Sequence, residues 1–184
     1  VRAAVDRLVW YAGWTDKFSQ VFGAVNPVAT SHFNFTTPES MGVVGVFVPR
    51  QAPLLGLVTS IAPILVPGNT AIAIVDTEAP TIAIEFAEVL ATSDLPGGVV
   101  NILTGTRDEL TGHVGKHMDV DGIACYDPSD TERKGLGTDG AETVKRVHFF
   151  EGGDVDHMVN DDAQSPYRIL PFVEFKTAWH PIGV

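Results

Sequence analysis

Five short apolar segments recur through the middle of the chain at intervals of about 20 to 30 residues. Three of the stretches that separate them, residues 53–66, 80–92 and 107–117, place apolar side chains at helical spacing. Strands that are apolar on both faces and are joined by helical crossovers belong to parallel sheets covered by helices on both sides. The pattern predicts a doubly wound α/β domain with a parallel sheet of about five strands, at residues 43–48, 70–75, 99–103, 120–125 and 144–150.

The fourth connection, residues 126–143, breaks this rhythm. It contains three glycines and many charged residues, and Leu136 is almost its only apolar side chain. Residues 135–140 match the dinucleotide-binding pattern G-x-G-x-x-G, but that pattern needs a strand immediately before it and a helix that opens at it. We therefore predict a flexible loop here and no packed helix.

The two ends of the chain differ from the α/β pattern. Residues 2–22 carry a helical apolar stripe, and an extended arm with alternating aromatic residues follows at 23–38. Residues 154–171 are polar, and residues 172–184 alternate apolar and polar side chains as a strand does. We predict an α/β domain at 1–153 that includes the helix and the arm, a polar linker at 154–171, and a terminal strand at 172–184.

Charge and cysteine content exclude several functions. The chain carries 23 acidic and 12 basic residues, a formal net charge of −11, which repels phosphate backbones and anionic lipid. No segment is long and apolar enough to span a bilayer. Cys125 is the only cysteine and is typical of a reducing compartment. We predict a cytoplasmic protein that binds neither nucleic acid nor membrane.

Several sequence blocks resemble the aldehyde dehydrogenase superfamily, in the family's order and spacing. They are residues 39–49 (ESMGVVGVFVP), 61–70 (IAPILVPGNT), 95–105 (LPGGVVNILTG), 119–124, 145–147 and 152–153. The resemblance implies a Rossmann-like NAD-binding domain. Residues 172–179 and the arm at 31–37 resemble the family's oligomerisation strands, which pair with a neighbouring subunit. Only residues 154–171 fill the interval where the family has its catalytic domain and nucleophilic cysteine.

The resemblance also implies where cofactor and substrate contacts would lie. The oxyanion-binding Asn of the family corresponds to Gln51, whose side chain is longer. The Lys and Glu that reach the adenosine ribose correspond to Ile74 and Thr77. The Gly and Ser at the pyrophosphate correspond to Asp127 and Pro128, where a negative charge and a missing N–H disfavour a diphosphate.

The general-base Glu corresponds to Phe150, and Cys125 lies in a predicted buried strand, where a core role is expected. His113 and His117, and the acidic residues at 154–162, are interpreted as solvated side chains, so no metal site is predicted. We therefore predict that the chain has no catalytic residue, binds no cofactor and is not an enzyme on its own.

The leading hypothesis is a non-catalytic, pseudoenzyme-like subunit that assembles by strand addition with a full-length aldehyde dehydrogenase or with itself. The predicted assembly residues are Phe33, Phe35, Val173, Phe175, Thr177 and Trp179. One alternative is a fragment or second module of an active NAD-dependent aldehyde dehydrogenase. Another is a Rossmann-like binding module for a ligand other than a dinucleotide.

Overall fold

A computed structural model describes residues 1–78, 80–151, 155–160 and 163–183 of the chain. The predicted N-terminal helix is divided in two, because the first helix ends at Ala12 and a turn follows. The arm forms two strands, of three and nine residues. These elements are α1 (Arg2–Ala12), α2 (Phe18–Phe22), β1 (Ala24–Asn26) and β2 (His32–Ser40).

The α/β unit follows the predicted alternation, and the predicted fold class is confirmed. Its elements are β3 (Val43–Phe47), α3 (Pro53–Leu65), β4 (Thr70–Val75), α4 (Pro80–Ala91), β5 (Val100–Thr104), α5 (Arg107–Lys116), β6 (Gly122–Tyr126), α6 (Asp130–Thr143) and β7 (Arg146–Phe150). The five strands pair in parallel in the order β5-β4-β3-β6-β7. No helix among the described residues is long and apolar enough to cross a membrane.

Two apolar layers cover the faces of the parallel sheet. On one face, alternate strand residues such as Val46 and Ala73 pack against α1, α3 and α4. On the other face, Phe47, Ile74 and Cys125 pack against α5 and α6. Because both faces are covered, the strands are mostly apolar, which is why their sequences predicted buried parallel strands.

The prediction of a loop in place of α6 was wrong. Ser129 and Glu132 form a capping box that satisfies the first backbone N–H groups of the helix. Leu136 is fully buried against the sheet. Gly140 lies so close to β7 that a Cβ atom there would come within 2.5 Å of Val147 Cγ2. The glycines that suggested a loop include one that lets the helix approach its strand.

The interpretation of residues 154–171 as a polar linker was also wrong, as far as these residues are described. They contain α7 (Val155–Val159) and two 3-10 turns (Pro166–Arg168 and Leu170–Phe172). Met158, Ala163 and Ile169 are fully buried. Arg7 of α1 donates hydrogen bonds to the carbonyl oxygens of Met158 (2.9 Å) and Ala163 (2.7 Å), which fix the segment to the domain. Residues 152–154, 161 and 162, which include part of the Gly-Gly block and of the acidic cluster, lie outside the described residues.

The terminal strand β8 (Val173–Pro181) joins the arm in a second, antiparallel sheet with the order β1-β2-β8. All nine residues of β8 pair with β2, from Ser40 opposite Val173 to His32 opposite Pro181. One edge of β8 is therefore satisfied within the chain. Its other edge has no partner strand in the described part of the chain.

Three consecutive carbonyl groups at the start of β8 are held by side chains from the parallel sheet and its connections. His148 is hydrogen-bonded to the carbonyl of Pro171. Asn69 Nδ2 donates to the carbonyl of Phe172 at 2.8 Å. Arg146 donates to the carbonyl of Val173 at 2.5 Å. These bonds fix the point at which the terminal strand leaves the α/β unit.

Candidate functional site

The carboxyl ends of β3 and β6 mark the point where the strand order reverses, and ligands bind in this crevice in doubly wound domains. The structure brings most of the predicted site positions to this edge of the sheet. Gln51 follows β3, Thr77 follows β4, Asp127 and Pro128 follow β6, and Phe150 ends β7. These positions therefore lie along one edge of the sheet, and their assignment to cofactor and substrate contacts stays a prediction.

Ile74 is the exception among these positions. Its side chain is fully buried in the layer between the sheet and α5 and α6, so it faces the core and not the crevice. The polar contact nearby is made instead by Arg50, whose Nε donates to Asp76 Oδ2 at 2.8 Å. Burial raises the pKa of Asp76, but hydrogen bonds from Arg50 and Thr77 outweigh it, and the pKa lies below its ordinary value.

The N-terminus of α6 is occupied by a carboxylate of the chain itself. Glu132 Oε2 accepts hydrogen bonds from the backbone N–H of Ser129 (2.8 Å) and from its hydroxyl (2.9 Å). Glu132 N in turn donates to Ser129 Oγ at 3.2 Å. The end of a helix that attracts phosphate groups in dinucleotide-binding domains therefore already carries a bound negative charge.

Arg107 fills the crevice behind this carboxylate. Its Nε lies 2.8 Å from Glu132 Oε1, and both side chains are almost completely buried, 1% and 4% exposed. The guanidinium also donates to the carbonyl oxygens of Tyr126 (3.1 Å) and Val48 (3.4 Å), at the ends of β6 and β3. Five N–H donors on a planar group suit such a cluster of acceptors.

Burial raises the pKa of Glu132, but this effect is outweighed by its hydrogen bonds with Ser129 and by the charge of Arg107. The net pKa lies below the ordinary value, and the carboxylate is charged at neutral pH. Sequence reasoning missed this network. The Ser129-x-x-Glu132 spacing was a readable capping signal, whereas nothing in the sequence indicates that Arg107 reaches Glu132.

A cleft of about 540 Å³ opens beside this ion pair, between α5 and α6. Asp108 and Thr111 of α5 and Thr131 and Asp139 of α6 are among its lining residues, with Arg50 at one side. The cleft thus carries more acidic than basic side chains. A neutral or weakly charged ligand would meet less repulsion in this cleft than a diphosphate would.

Asp127, in the position of the family's glycine, adopts the left-handed backbone conformation with φ of 44°. Its N–H donates to the carbonyl of Phe150 at 2.8 Å, so the turn after β6 is tied to the end of β7. Asp tolerates this conformation better than most residues with a Cβ, though at a cost that Gly avoids. The Glu132 carboxylate lies at the N-terminus of α6 and the acidic residue Asp127 precedes the helix by three positions, an arrangement that does not fit a dinucleotide diphosphate.

Phe150 faces the layer that contains α3 rather than the cleft. Its ring stacks on Tyr126 with the centroids 4.8 Å apart and also contacts Phe172. The neighbouring Glu151 is exposed and forms an ion pair with Arg133 of α6. The position assigned to a general base thus holds a packing residue.

Cys125 is fully buried beside Arg107, whose Nη2 lies 3.1 Å from Sγ. Burial raises the pKa of the Cys125 thiol to about 12, so it carries no thiolate at neutral pH. The interpretation of Cys125 as a core residue is confirmed. Among the described residues, no group of three or more His, Cys, Asp and Glu side chains is arranged to hold a metal ion.

Comparison with models of protein families matches residues 1–170 to the aldehyde dehydrogenase family. The chain belongs to this family. It is 30% identical over 169 residues to retinal dehydrogenase 2 of Gallus gallus, covering 92% of the chain and 32% of the relative. It is 30% identical over 162 residues to the mitochondrial aldehyde dehydrogenase of Homo sapiens, covering 88% and 31%.

The fold is also similar to solved structures of aldehyde dehydrogenases. The NAD⁺ complex of the Bacillus cereus enzyme matches with a TM-score of 0.75 and 28% identity, over 82% of the chain and 30% of that enzyme. The enzyme KauB from Pseudomonas aeruginosa matches with a TM-score of 0.74 and 29% identity, over 82% and 30%. The chain spans about a third of the length of the curated relatives that it matches.

These relatives correct one prediction. The assignment of the chain as not an enzyme was wrong, because the family and the proteins that it matches are aldehyde dehydrogenases. The assignment rested on the short interval at residues 154–171 in place of the family's catalytic domain and on altered residues at motif positions such as Ile74 and Phe150. Altered motif residues do not by themselves show that activity is lost.

Proposed function

We propose that this chain is a module of an aldehyde dehydrogenase and that it joins another subunit through the sheet β1-β2-β8. The observation that carries the proposal is the open edge of β8, together with its apolar face. Phe175 and Trp179 are 51% and 58% exposed although both belong to a regular strand. An unpaired strand edge with exposed aromatic side chains favours strand addition to a partner.

The predicted assembly residues divide between the two faces of this sheet. The register places Phe175, Thr177 and Trp179 opposite Pro38, Thr36 and Asn34, on one face. Phe33 and Phe35 lie opposite His180 and Ala178, on the other face. Val173, the first residue of β8, is buried and packs in the core of the domain. A partner that extends the sheet would contact both faces along the β8 edge.

In this role the chain binds NAD or NADP weakly. The support for this part of the proposal is the Glu132 carboxylate at the α6 N-terminus and the acidic Asp127 beside it. The chain spans about a third of the length of these relatives, and aldehyde oxidation is proposed here for the assembled enzyme. The partner is a longer aldehyde dehydrogenase chain or a second copy of this module.

We further propose that the module works in the cytoplasm. A single buried cysteine suits a reducing compartment. The net charge of −11 disfavours contact with nucleic acid and anionic membranes.

The proposal is tested by measuring the mass of the purified chain, alone and mixed with aldehyde dehydrogenases from its source, by native mass spectrometry and sedimentation. Burying the remaining half of a Phe or Trp side chain contributes about 1 kcal/mol. Phe175→Thr with Trp179→Thr should therefore weaken assembly by about tenfold to a hundredfold, while the far-UV spectrum stays unchanged.

Leu103→Thr is the matched control, because Leu103 is also an exposed strand residue, 46% exposed, at the end of β5 on the far edge of the parallel sheet. The association constant of this variant should equal that of the unmodified chain. If the control weakens assembly as much as the double variant does, the contact surface is not β8.

A further inference from the structure

We propose that an apolar groove on the helical surface of the α/β unit binds a basic amphipathic helix of a partner protein. The groove lies between α1 and α4, with α3 below it, and has a cavity volume of about 270 Å³. Its described lining residues all belong to these three helices. The groove is therefore separate from the sheet β1-β2-β8, and the two surfaces can be tested independently.

The floor of the groove is part of the hydrophobic core. Ala4, Val58 and Phe86 are buried and belong to the apolar layer that covers one face of the parallel sheet. Leu8 and Leu54 line the groove and are only partly buried against the same layer. The core layer therefore reaches the protein surface between α1 and α4.

The walls of the groove expose further apolar side chains. Val5 of α1 and Ile82 and Val89 of α4 are all exposed. Ile82, Phe86 and Val89 are spaced i, i+4 and i+7, so they form one stripe along α4. A helix that only covers a core carries polar side chains at its exposed positions. A contiguous apolar surface of this kind is typical of a site that binds a partner.

The size and the lining of the groove favour a helix over a small molecule. Small-molecule sites usually have volumes of about 300 to 1,000 Å³ and several polar groups that orient the ligand. This groove is smaller, and among its described lining residues Glu85 is the one polar side chain. A partner helix needs neither, because it inserts a few apolar side chains spaced i, i+3, i+4 and i+7 and keeps its other face in water.

The charge beside the groove favours a basic partner. Glu85 lines the groove, and Glu88 lies one turn further along the exposed surface of α4. In the part of the chain that the structure describes, neither carboxylate forms an ion pair. Lys or Arg side chains of a partner helix would supply the opposite charge. A second copy of this chain suits the groove poorly, because each copy carries a net charge of −11.

The proposal is tested with a fluorescently labelled helical peptide as the probe. The peptide carries leucines spaced i, i+3, i+4 and i+7 with lysines on the opposite face, and a length of about 20 residues allows it to form a helix. Fluorescence anisotropy should give a dissociation constant below about 100 μM. A peptide of the same composition, with its leucines distributed around the helix, should bind about tenfold more weakly. Equal binding of the two peptides, or binding of neither, overturns the proposal.

A substitution in the wall of the groove locates the binding site. Val89→Lys places a positive charge against the lysines of the probe and should weaken binding about tenfold. Val21→Lys is the matched control, because Val21 lies on α2 and is 58% exposed, against 61% for Val89. The control should bind the probe as the unmodified chain does. If both variants lose the same affinity, the groove is not the site.

A charge exchange tests the part played by Glu85. Glu85→Lys should weaken binding of the lysine peptide about tenfold and should allow binding of a peptide in which glutamates replace the lysines. Glu142→Lys makes the same change of net charge on α6, outside the groove, and should alter neither affinity. An equal loss in Glu85→Lys and Glu142→Lys would assign the attraction to net charge alone and would overturn the proposal.

Sedimentation of the chain without peptide distinguishes a second copy from a partner helix. If Val89→Lys lowers the mass of the chain alone, a second copy covers the groove and the proposal is wrong. An unchanged mass together with lost peptide binding supports the partner helix. Phe175→Thr with Trp179→Thr should leave peptide binding unchanged, so failure of assembly through β8 and failure of the groove are distinguishable.

Discussion

Removing the carboxylate of Glu132 should destabilise the domain strongly, although the residue lies in a helix that is otherwise mostly polar. In Glu132→Ala, Arg107 remains buried with its charge unbalanced, because carbonyl oxygens are its main remaining acceptors. Breaking a buried ion pair on one side costs about 3 to 5 kcal/mol. The loss of the Ser129–Glu132 cap adds about 1 kcal/mol. The free energy of unfolding of a domain of this size is about 5 to 15 kcal/mol in total.

The assay is urea unfolding followed by far-UV circular dichroism, together with thermal melting. About 4 kcal/mol corresponds to a fall in Tm of about 10 °C for a chain of this length. Glu142→Ala is the matched control, since Glu142 is an exposed residue of the same helix α6. Its effect should stay within about 0.5 kcal/mol.

The double variant Arg107→Met with Glu132→Met separates the buried charge from the loss of contacts. It should be much more stable than Glu132→Ala, because no uncompensated charge is left behind. If Glu132→Ala and Glu142→Ala lose stability equally, Arg107 and Glu132 are not coupled in the folded protein, and the account of the filled crevice fails.

Three further outcomes are expected. Calorimetry with NAD should give a dissociation constant above about 1 mM, which corresponds to a binding free energy weaker than about −4 kcal/mol. Binding in the micromolar range would contradict the proposed weak binding of NAD. Burial and the neighbouring Arg146 lower the pKa of His148 below its usual value of 6.5, so its contribution to stability is complete above pH 6.5 and is lost as the pH falls toward the folded pKa. The urea midpoint should therefore drop more between pH 7.5 and 5.5 in the unmodified chain than in His148→Asn, and equal drops would refute this. Gly140→Ala should cost about 1 to 3 kcal/mol because its methyl group would meet Val147, whereas Gly137→Ala, which has open space, should be neutral or stabilising in urea unfolding.

The parts of the fold that were predictable are those in which one local pattern decides the outcome. The five parallel strands are apolar on both faces, and their segments contain little else. The helix α6 was missed because its stability comes from a cap, one buried leucine and a glycine that permits close packing. The segment after β7 was missed because its buried residues Met158, Ala163 and Ile169 are few and scattered. Arg7, which binds the carbonyl oxygens of Met158 and Ala163, lies more than 150 residues away in the sequence.

Some features of the candidate site could likewise be predicted from a local pattern, and others could not. The ends of parallel strands meet at one edge by geometry, so the positions of Gln51, Asp127 and Phe150 could be placed in advance. The ion pair of Arg107 and Glu132 joins residues 25 apart on different helices, and no periodic pattern records it. Neither the burial of Ile74 toward α5 and α6 nor the pairing of Arg50 with Asp76 could be inferred without the packing of the helices.

The hydrogen bonds to the carbonyl groups of residues 171–173 fix one end of the terminal strand, so a small rotation at that end displaces the other end. Its root is fixed to the α/β unit by His148, Asn69 and Arg146, while its far end, at Pro181, extends about 30 Å along the strand. A rotation of about 5° at the root would move that end by about 2.5 Å over such a length. That displacement is comparable to half the spacing between paired strands, which is enough to break or form a row of hydrogen bonds. A substitution at Asn69, which is buried in the domain, would therefore shift the open edge of β8 through which we propose that subunits meet.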